Sequence, residues 1–185
     1  MKMRDFDLEG MKWIREPASS AQMSPTTIAW TSSPTSDFWR HTGAVAPKHD
    51  GNAFLRDIGA GDFSFDAEVS GVLTDRYDQF GVFVEIDEEH WVKAGIELDD
   101  SFWLSTVATK THSDWAREKV VGAQVRLRVA RHSDTIEIFV DDSGSWRMIR
   151  ELTLAGDARV GLYSCSPKGN GFSALGNFRP TDTQP

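Results

Sequence analysis

The stretch Tyr77–Glu97, YDQFGVFVEIDEEHWVKAGIE, decides the fold. Apolar residues alternate with others up to Ile86, and the alternation resumes after a polar turn at residues 87–89. Successive side chains of a strand point to opposite faces, so this pattern predicts a β-hairpin with one buried face. The second strand is expected to send four residues into the core: Val92, Ala94, Ile96 and Leu98.

The other side of that strand carries the side chains that could bind a ligand or take part in a reaction. Trp91, Lys93, Gly95 and Glu97 share it, so an indole, an ammonium and a carboxylate are expected on one exposed sheet face. Lys93 and Glu97 are four positions apart, or about 13 Å along a strand, which is too far for an easy direct ion pair. Each is therefore expected to meet a neighbour on an adjacent strand.

The rest of the chain repeats short alternating segments separated by turn residues. Tight turns at 132–134 and 141–145 are predicted to join strands at 125–131, 135–140 and 146–152. We count about ten to thirteen strands and no segment with helical periodicity over three turns. These features predict one all-β domain over residues 1–185, an antiparallel sandwich or barrel.

Composition narrows the class of protein. The chain has 185 residues and a net charge of -8, which disfavours non-specific binding to nucleic acid or to an anionic membrane. No apolar run approaches the roughly 20 residues of a transmembrane helix, and the first residues show no signal peptide. Cys165 is the only cysteine, which fits a reducing compartment, so we predict a cytoplasmic protein.

Five motifs follow one another in a fixed order: SDFWR at 36–40, YDQFGVFVEID at 77–87, HWVKAGIEL at 90–98, HSDW at 112–115 and VGLYSCSP at 160–167. Together they resemble the DUF1349 family over about residues 30–178. Ser36 stands where the family usually has threonine, and Phe80 stands where it usually has alanine. The resemblance implies a concanavalin A-like jelly-roll sandwich of two antiparallel sheets. It implies less about activity, since one member is linked to regulation of enolase and relatives of the wider fold bind or cut glycans.

We predict a ligand-binding groove on the concave sheet face, for a carbohydrate or a small polar metabolite such as a glycan or sugar phosphate. Trp115 is expected in a loop beside Asp114, where the ring would stack on a pyranose and the carboxylate would bind hydroxyls. Tyr77 would also stack, and Gln79 would also bind hydroxyls. Lys93, Glu97 and Arg128 would form a charged floor, which would also suit an anionic substituent, if the strand of Arg128 joins the same sheet and pairs with Glu97. The predicted ligand-binding residues are Tyr77, Gln79, Lys93, Glu97, Asp114, Trp115 and Arg128.

Other interpretations of the same residues remain open. The sheet face could be a solvated surface with ordinary cross-strand pairs, and Trp115 could fold back as a plug over the sandwich edge. A glycan-cleaving enzyme would use Glu97 with Asp114 or Glu85 as its acid pair, and a regulatory protein-interaction domain is the third possibility. The run EIDEE at 85–89 has the acid spacing of a glycoside hydrolase family, but Glu88 stands where an apolar residue is needed. We therefore interpret those acids as solvated turn residues.

No cofactor or metal site is predicted. The five histidines are scattered, with no two at ligand spacing on one element, and no G-x-S-x-G motif occurs. The aspartate pairs at 99–100 and 141–142 could bind calcium on a fold of this kind, but such pairs are also common in tight turns without a metal. Cys165 is expected to be an inert buried thiol. No sequence feature indicates an oligomeric state.

Overall fold

The computed structural model describes residues 6–40 and 46–181 of the chain. These residues form two seven-stranded antiparallel sheets packed as a sandwich, together with a short two-stranded hairpin. The prediction of an all-β sandwich is confirmed. No helix long and apolar enough to cross a membrane occurs in the described part of the chain.

Sixteen strands make up the described structure, more than the sequence predicted. In chain order they are β1 (Lys12–Arg15), β2 (Ser19–Gln22), β3 (Thr27–Thr31), β4 (Phe38–Trp39), β5 (Lys48–His49), β6 (Asn52–Gly59), β7 (Phe63–Gly71), β8 (Gln79–Asp87), β9 (His90–Leu98), β10 (Phe102–Lys110), β11 (His112–Lys119), β12 (Gln124–His132), β13 (Thr135–Asp142), β14 (Ser145–Thr153), β15 (Ala158–Cys165) and β16 (Ser173–Arg179). Sheet A has the order β1-β6-β15-β8-β9-β10-β11, and sheet B has the order β14-β13-β12-β7-β16-β3-β2.

The predicted central hairpin is present as β8 and β9, at the middle of sheet A. Val92, Ala94 and Ile96 are buried in the core between the two sheets, and Leu98 packs against its edge. The alternation in the sequence therefore identified the inward face correctly.

The outward face of the hairpin is not the exposed surface that the sequence predicted. Trp91 is fully buried there, in a second apolar cluster with Phe83 of β8 and Tyr163 of β15. Phe38 of β4 covers this cluster and stacks on Phe83, with 4.6 Å between ring centroids. Sheet A is thus covered on both faces over part of its area. The uncovered part of its outward face is bordered by the covering segment.

Two strands were predicted as loops. Residues 18–25 contain β2, and residues 110–118 contain most of β11. Both strands lie at the edge of a sheet, and nearly all of their residues are exposed. An edge strand with no buried face shows no hydrophobic alternation, so the sequence carried no signal for either.

Candidate functional site

The outward face of sheet A arranges its side chains in rows that cross the strands. Because the antiparallel register places residues directly opposite one another, the rows can be read from the pairing. The two rows that matter are Phe83–Lys93–Val107–Trp115 and Gln79–Glu97–Trp103–Lys119.

A row of glycines separates these two rows. Gly81 of β8 faces Gly95 of β9. A Cβ atom on Gly95 would lie 1.8 Å from the carbonyl oxygen of Phe80, and one on Gly81 would lie 1.9 Å from that of Ala94. No other residue fits at either position, so the sheet surface between Lys93 and Glu97 is bare backbone.

A cavity of about 320 Å³ lies over this bare surface, a volume within the range of small-molecule sites. It includes five of the seven predicted site residues: Tyr77, Gln79, Lys93, Glu97 and Trp115. The other lining residues are Asp37, Trp39, Val107, Pro167 and Lys168.

Four of these further residues were missed as site residues although they lie in or beside recognised motifs. Asp37 and Trp39 belong to the motif at 36–40, Pro167 ends the motif at 160–167, and Lys168 directly follows it. These segments fold over the sheet from far along the chain. The occurrence of all five motifs in one chain was the only sequence feature that could have predicted that these segments lie close together.

Arg128 lies elsewhere, so the expected pairing with Glu97 is wrong. Its strand, β12, belongs to sheet B and pairs with β7. There the guanidinium makes two hydrogen bonds to the buried Asp66, at 2.6 and 2.9 Å, and lies 4.4 Å from the ring centroid of Trp146.

Asp114 is also outside the cavity. It was predicted in a loop with Trp115, but both residues are in β11, where adjacent side chains point to opposite faces. Asp114 is largely exposed and lies 3.4 Å from the guanidinium of Arg150. Trp115 alone faces the cavity.

Lys93 connects the floor of the cavity to the segment that covers the sheet. The side chain is almost completely buried, and its Nζ donates a hydrogen bond of 2.7 Å to the carbonyl oxygen of Phe38. The carboxylate of Asp37 lies 3.6 Å away. Since an ammonium group has three hydrogens, a further donor is available towards the cavity.

Glu97 is the buried acid of the cavity floor, with only 4% of its surface exposed. Burial raises the pKa of its carboxyl group, and the charge of Lys93 and a hydrogen bond from Ser105 oppose that shift only in part. Ser105 in turn accepts a hydrogen bond of 2.8 Å from Nε1 of Trp115. This chain of contacts fixes the indole ring relative to the carboxylate.

Aromatic rings form two walls of the cavity. Trp39 and Trp115 are perpendicular to each other, at an interplanar angle of 88° and 6.2 Å between centroids. On the opposite side, Tyr77 has Nζ of Lys168 at 5.2 Å from its ring. The backbone of Tyr77 has a φ of 70°, a conformation that side chains rarely adopt and that costs on the order of 1–3 kcal/mol.

Glu85 was predicted to be a solvated turn residue, but it lies in a buried cluster that includes His49 of β5, whereas Asp87 and Glu89 are exposed as predicted. Glu85 is fully buried, with Nε2 of His49 at 2.6 Å, Arg15 at 3.1 Å and Arg159 at 2.8 Å. Burial raises the pKa of Glu85, but the hydrogen bond from His49 and the charges of the two arginines outweigh it, so the pKa is lowered. Glu85 does not line the cavity and cannot form an acid pair with Glu97 there.

Metal ligands and the thiol of Cys165 are the remaining groups to consider. Among the described residues, no three His, Cys, Asp or Glu side chains lie in an arrangement that could hold a metal ion. His41 lies outside the described residues. Cys165 is fully buried, and burial raises the pKa of its thiol far above the usual range.

Three comparisons with known proteins relate the chain to others. The family DUF1349, described as a protein of unknown function, matches residues 13–179. The Saccharomyces cerevisiae protein named Regulation of enolase protein 1 is 31% identical over 179 residues, which is 93% of this chain and 89% of that protein. A crystal structure of a functionally unknown protein from Saccharomyces cerevisiae has a TM-score of 0.88 at 27% identity, covering 97% of this chain and 100% of the other.

Glycoside hydrolases of family GH43 share the fold at lower identity. BlXynB from Bacillus licheniformis has a TM-score of 0.67 at 10% identity, covering 92% of this chain and 37% of that one. GH43B from the Bacteroides ovatus xyloglucan locus has a TM-score of 0.68 at 14% identity, covering 92% of this chain and 36% of that one. The chain spans only about a third of these enzymes, and the likeness concerns the fold alone.

Proposed function

The chain belongs to the DUF1349 family of proteins of unknown function, and we propose that it binds a carbohydrate in the cavity on the outward face of sheet A. One observation carries the proposal. Two perpendicular indoles, Trp39 and Trp115, lie over a floor that holds a buried ammonium and a buried carboxylate, Lys93 and Glu97.

Each part of this arrangement matches a feature of a sugar. A pyranose has apolar C–H faces that pack on aromatic rings and hydroxyl groups that both donate and accept hydrogen bonds. The indole rings would receive the face of the sugar. Glu97 would accept hydrogen bonds from hydroxyls, Lys93 would donate to them, and Gln79 can do both.

The charges of the cavity favour a neutral sugar over a sugar phosphate. Two cations, Lys93 and Lys168, are balanced by two carboxylates, Asp37 and Glu97. Phosphate groups are often recognised by arginine forks or helix N-termini, and no arginine is among the described residues that line this cavity. The nearby Arg117 is already paired with Asp99. Binding is therefore expected to depend weakly on salt concentration.

Binding is better supported than cleavage. A glycosidase needs a second carboxylate beside Glu97, and neither Asp114 nor Glu85 lines the cavity. Asp37 does line it, but its Oδ1 accepts a hydrogen bond of 2.8 Å from the backbone of Phe38 and lies 3.6 Å from Lys93. These contacts suit a structural carboxylate.

A regulatory role is the second candidate, because of the name of the 31% identical yeast relative. This candidate predicts that the purified chain changes the activity of an enolase at micromolar concentration and binds no glycan. A cytoplasmic location fits either function and stays a prediction.

Isothermal titration calorimetry against a panel of neutral oligosaccharides and sugar phosphates tests the proposal. The matched pair of variants is Trp115→Ala and Trp146→Ala, because both indoles lie on outward sheet faces under arginine side chains. We expect Trp115→Ala to lose at least about tenfold in affinity for the best ligand and Trp146→Ala to bind as the wild type does. Equal affinities in the two variants, or no glycan bound by the wild type, would overturn the proposal.

A further inference from the structure

A second aromatic surface continues from the cavity along strands β10 and β11. Trp103 lies directly across from Glu97 in the register, and Arg117 lies between Trp103 and Trp115. The guanidinium carbon is 4.3 Å from one ring centroid and 4.6 Å from the other. We refer to Trp103 and Arg117 as the shelf.

The shelf is held rigidly although it lies at the edge of the sheet. Nε1 of Trp103 donates to Asp100 at 3.0 Å, and Arg117 donates to Asp99 at 2.8 Å. Arg76 binds the same Asp99 at 2.7 Å, so the carboxylate is fixed from two sides. Partly exposed rings that are already immobilised lose little entropy when a ligand packs on them.

The shelf begins where the lining of the cavity ends. Trp39 and Trp115 line the cavity together, and Tyr77 and Lys168 line it as well. Trp103 lies directly across from Glu97 and is not among the described residues that line the cavity. A ligand that extends from the cavity over Glu97 onto the shelf would therefore place one end in the cavity.

We infer that the protein recognises the terminal unit of a neutral oligosaccharide in the cavity and the adjoining unit on the shelf. This inference rests on the proposed function. Trp103 would pack against the second sugar, and Arg117 would donate hydrogen bonds to its hydroxyls. The ligand class is therefore an oligosaccharide with a free end.

A length series tests the inference. With the best-binding sugar as its terminal unit, we expect the disaccharide to bind the wild type roughly 3- to 10-fold more tightly than the monosaccharide, and the trisaccharide to add little. Trp103→Leu should abolish this gain, and Trp103→Phe should keep most of it because a ring remains. Thermal unfolding of both variants shows whether they are folded.

A measurement on the wild type covers the case in which Trp103→Leu does not fold. In NMR spectra, the disaccharide should shift the indole N–H signal of Trp103, and the monosaccharide should not. An unchanged Trp103 signal, or a gain in affinity with sugar length that persists in Trp103→Leu, would overturn the role of the shelf. Monosaccharide binding in the same experiments would still support the cavity as the binding site. If no sugar binds at all, the proposed function fails and the shelf fails with it.

Discussion

Replacing Glu97 by glutamine removes one negative charge from the cavity floor and leaves the shape of the side chain almost unchanged. In the wild type, hydroxyl groups of a bound sugar would donate to a carboxylate that is only 4% exposed. Hydrogen bonds to charged groups contribute about 1.5–3 kcal/mol. We therefore expect Glu97→Gln to bind the sugar about 10- to 150-fold more weakly.

The same substitution should not weaken the fold at neutral pH. Burial raises the pKa of Glu97, so the folded protein binds this proton more tightly than the unfolded chain does. The contribution of Glu97 to stability therefore falls as pH rises from its ordinary pKa, near 4.5, through the raised value. Glutamine does not ionise, so the variant avoids the cost of burying a charged carboxylate and should be at least as stable as the wild type at pH 7.

Two assays separate these effects. Calorimetric titration measures affinity, and urea unfolding at pH 4 and pH 7 measures the free energy of unfolding. We expect Glu97→Gln to bind the sugar more weakly and to be at least as stable as the wild type at pH 7. Any gain in stability over the wild type should be smaller at pH 4. Wild-type affinity in Glu97→Gln would show that the carboxylate does not touch the ligand, and a loss of stability at pH 7 would refute the argument from burial.

Three further predictions concern the scaffold around the cavity. Glu85→Gln leaves Arg15 without its buried counter-charge and should lower the free energy of unfolding, measured by urea titration, by about 3 kcal/mol. Asp114→Asn removes an exposed ion pair and should change the free energy of unfolding by less than about 1 kcal/mol. Similar losses in the two variants would contradict the role of the buried cluster. Gly95→Ala places a Cβ atom 1.8 Å from a backbone oxygen and should lower the free energy of unfolding by about 3 kcal/mol or more in the same assay. An unchanged midpoint of urea unfolding would show that β8 and β9 can move apart at little cost. Cys165 should not react with a thiol reagent such as DTNB until the protein is unfolded, because burial keeps it protonated and inaccessible; rapid labelling of the native protein would contradict this.

Local alternation was enough to predict the central hairpin and the direction of its side chains. Lys93 and Glu97 were placed on one face because the period of a strand fixes this, whatever the rest of the fold does. Arg128 was misplaced because the sheet that a strand joins depends on distant pairing, here with β7, which alternation does not encode. The burial of Glu85 was missed for a related reason, since its arginine partners at 15 and 159 are far away in the sequence.

The walls of the cavity were the least predictable part. Trp39 and Lys168 reach the sheet from segments on either side of the central hairpin in the chain, and no local pattern shows that they meet. Trp115 lines the cavity, but it lies in a strand and not in the loop that the sequence predicted. That strand also explains why its neighbour Asp114 faces away.

The most direct test of the cavity as the binding site is a crystal structure of the protein with the glycan that binds best in calorimetry. We predict a terminal pyranose packed against Trp115 and Trp39, with at least one hydroxyl within about 3.2 Å of the Glu97 carboxylate. A sugar bound on the opposite sheet beside Trp146, with the cavity unoccupied, would contradict the account.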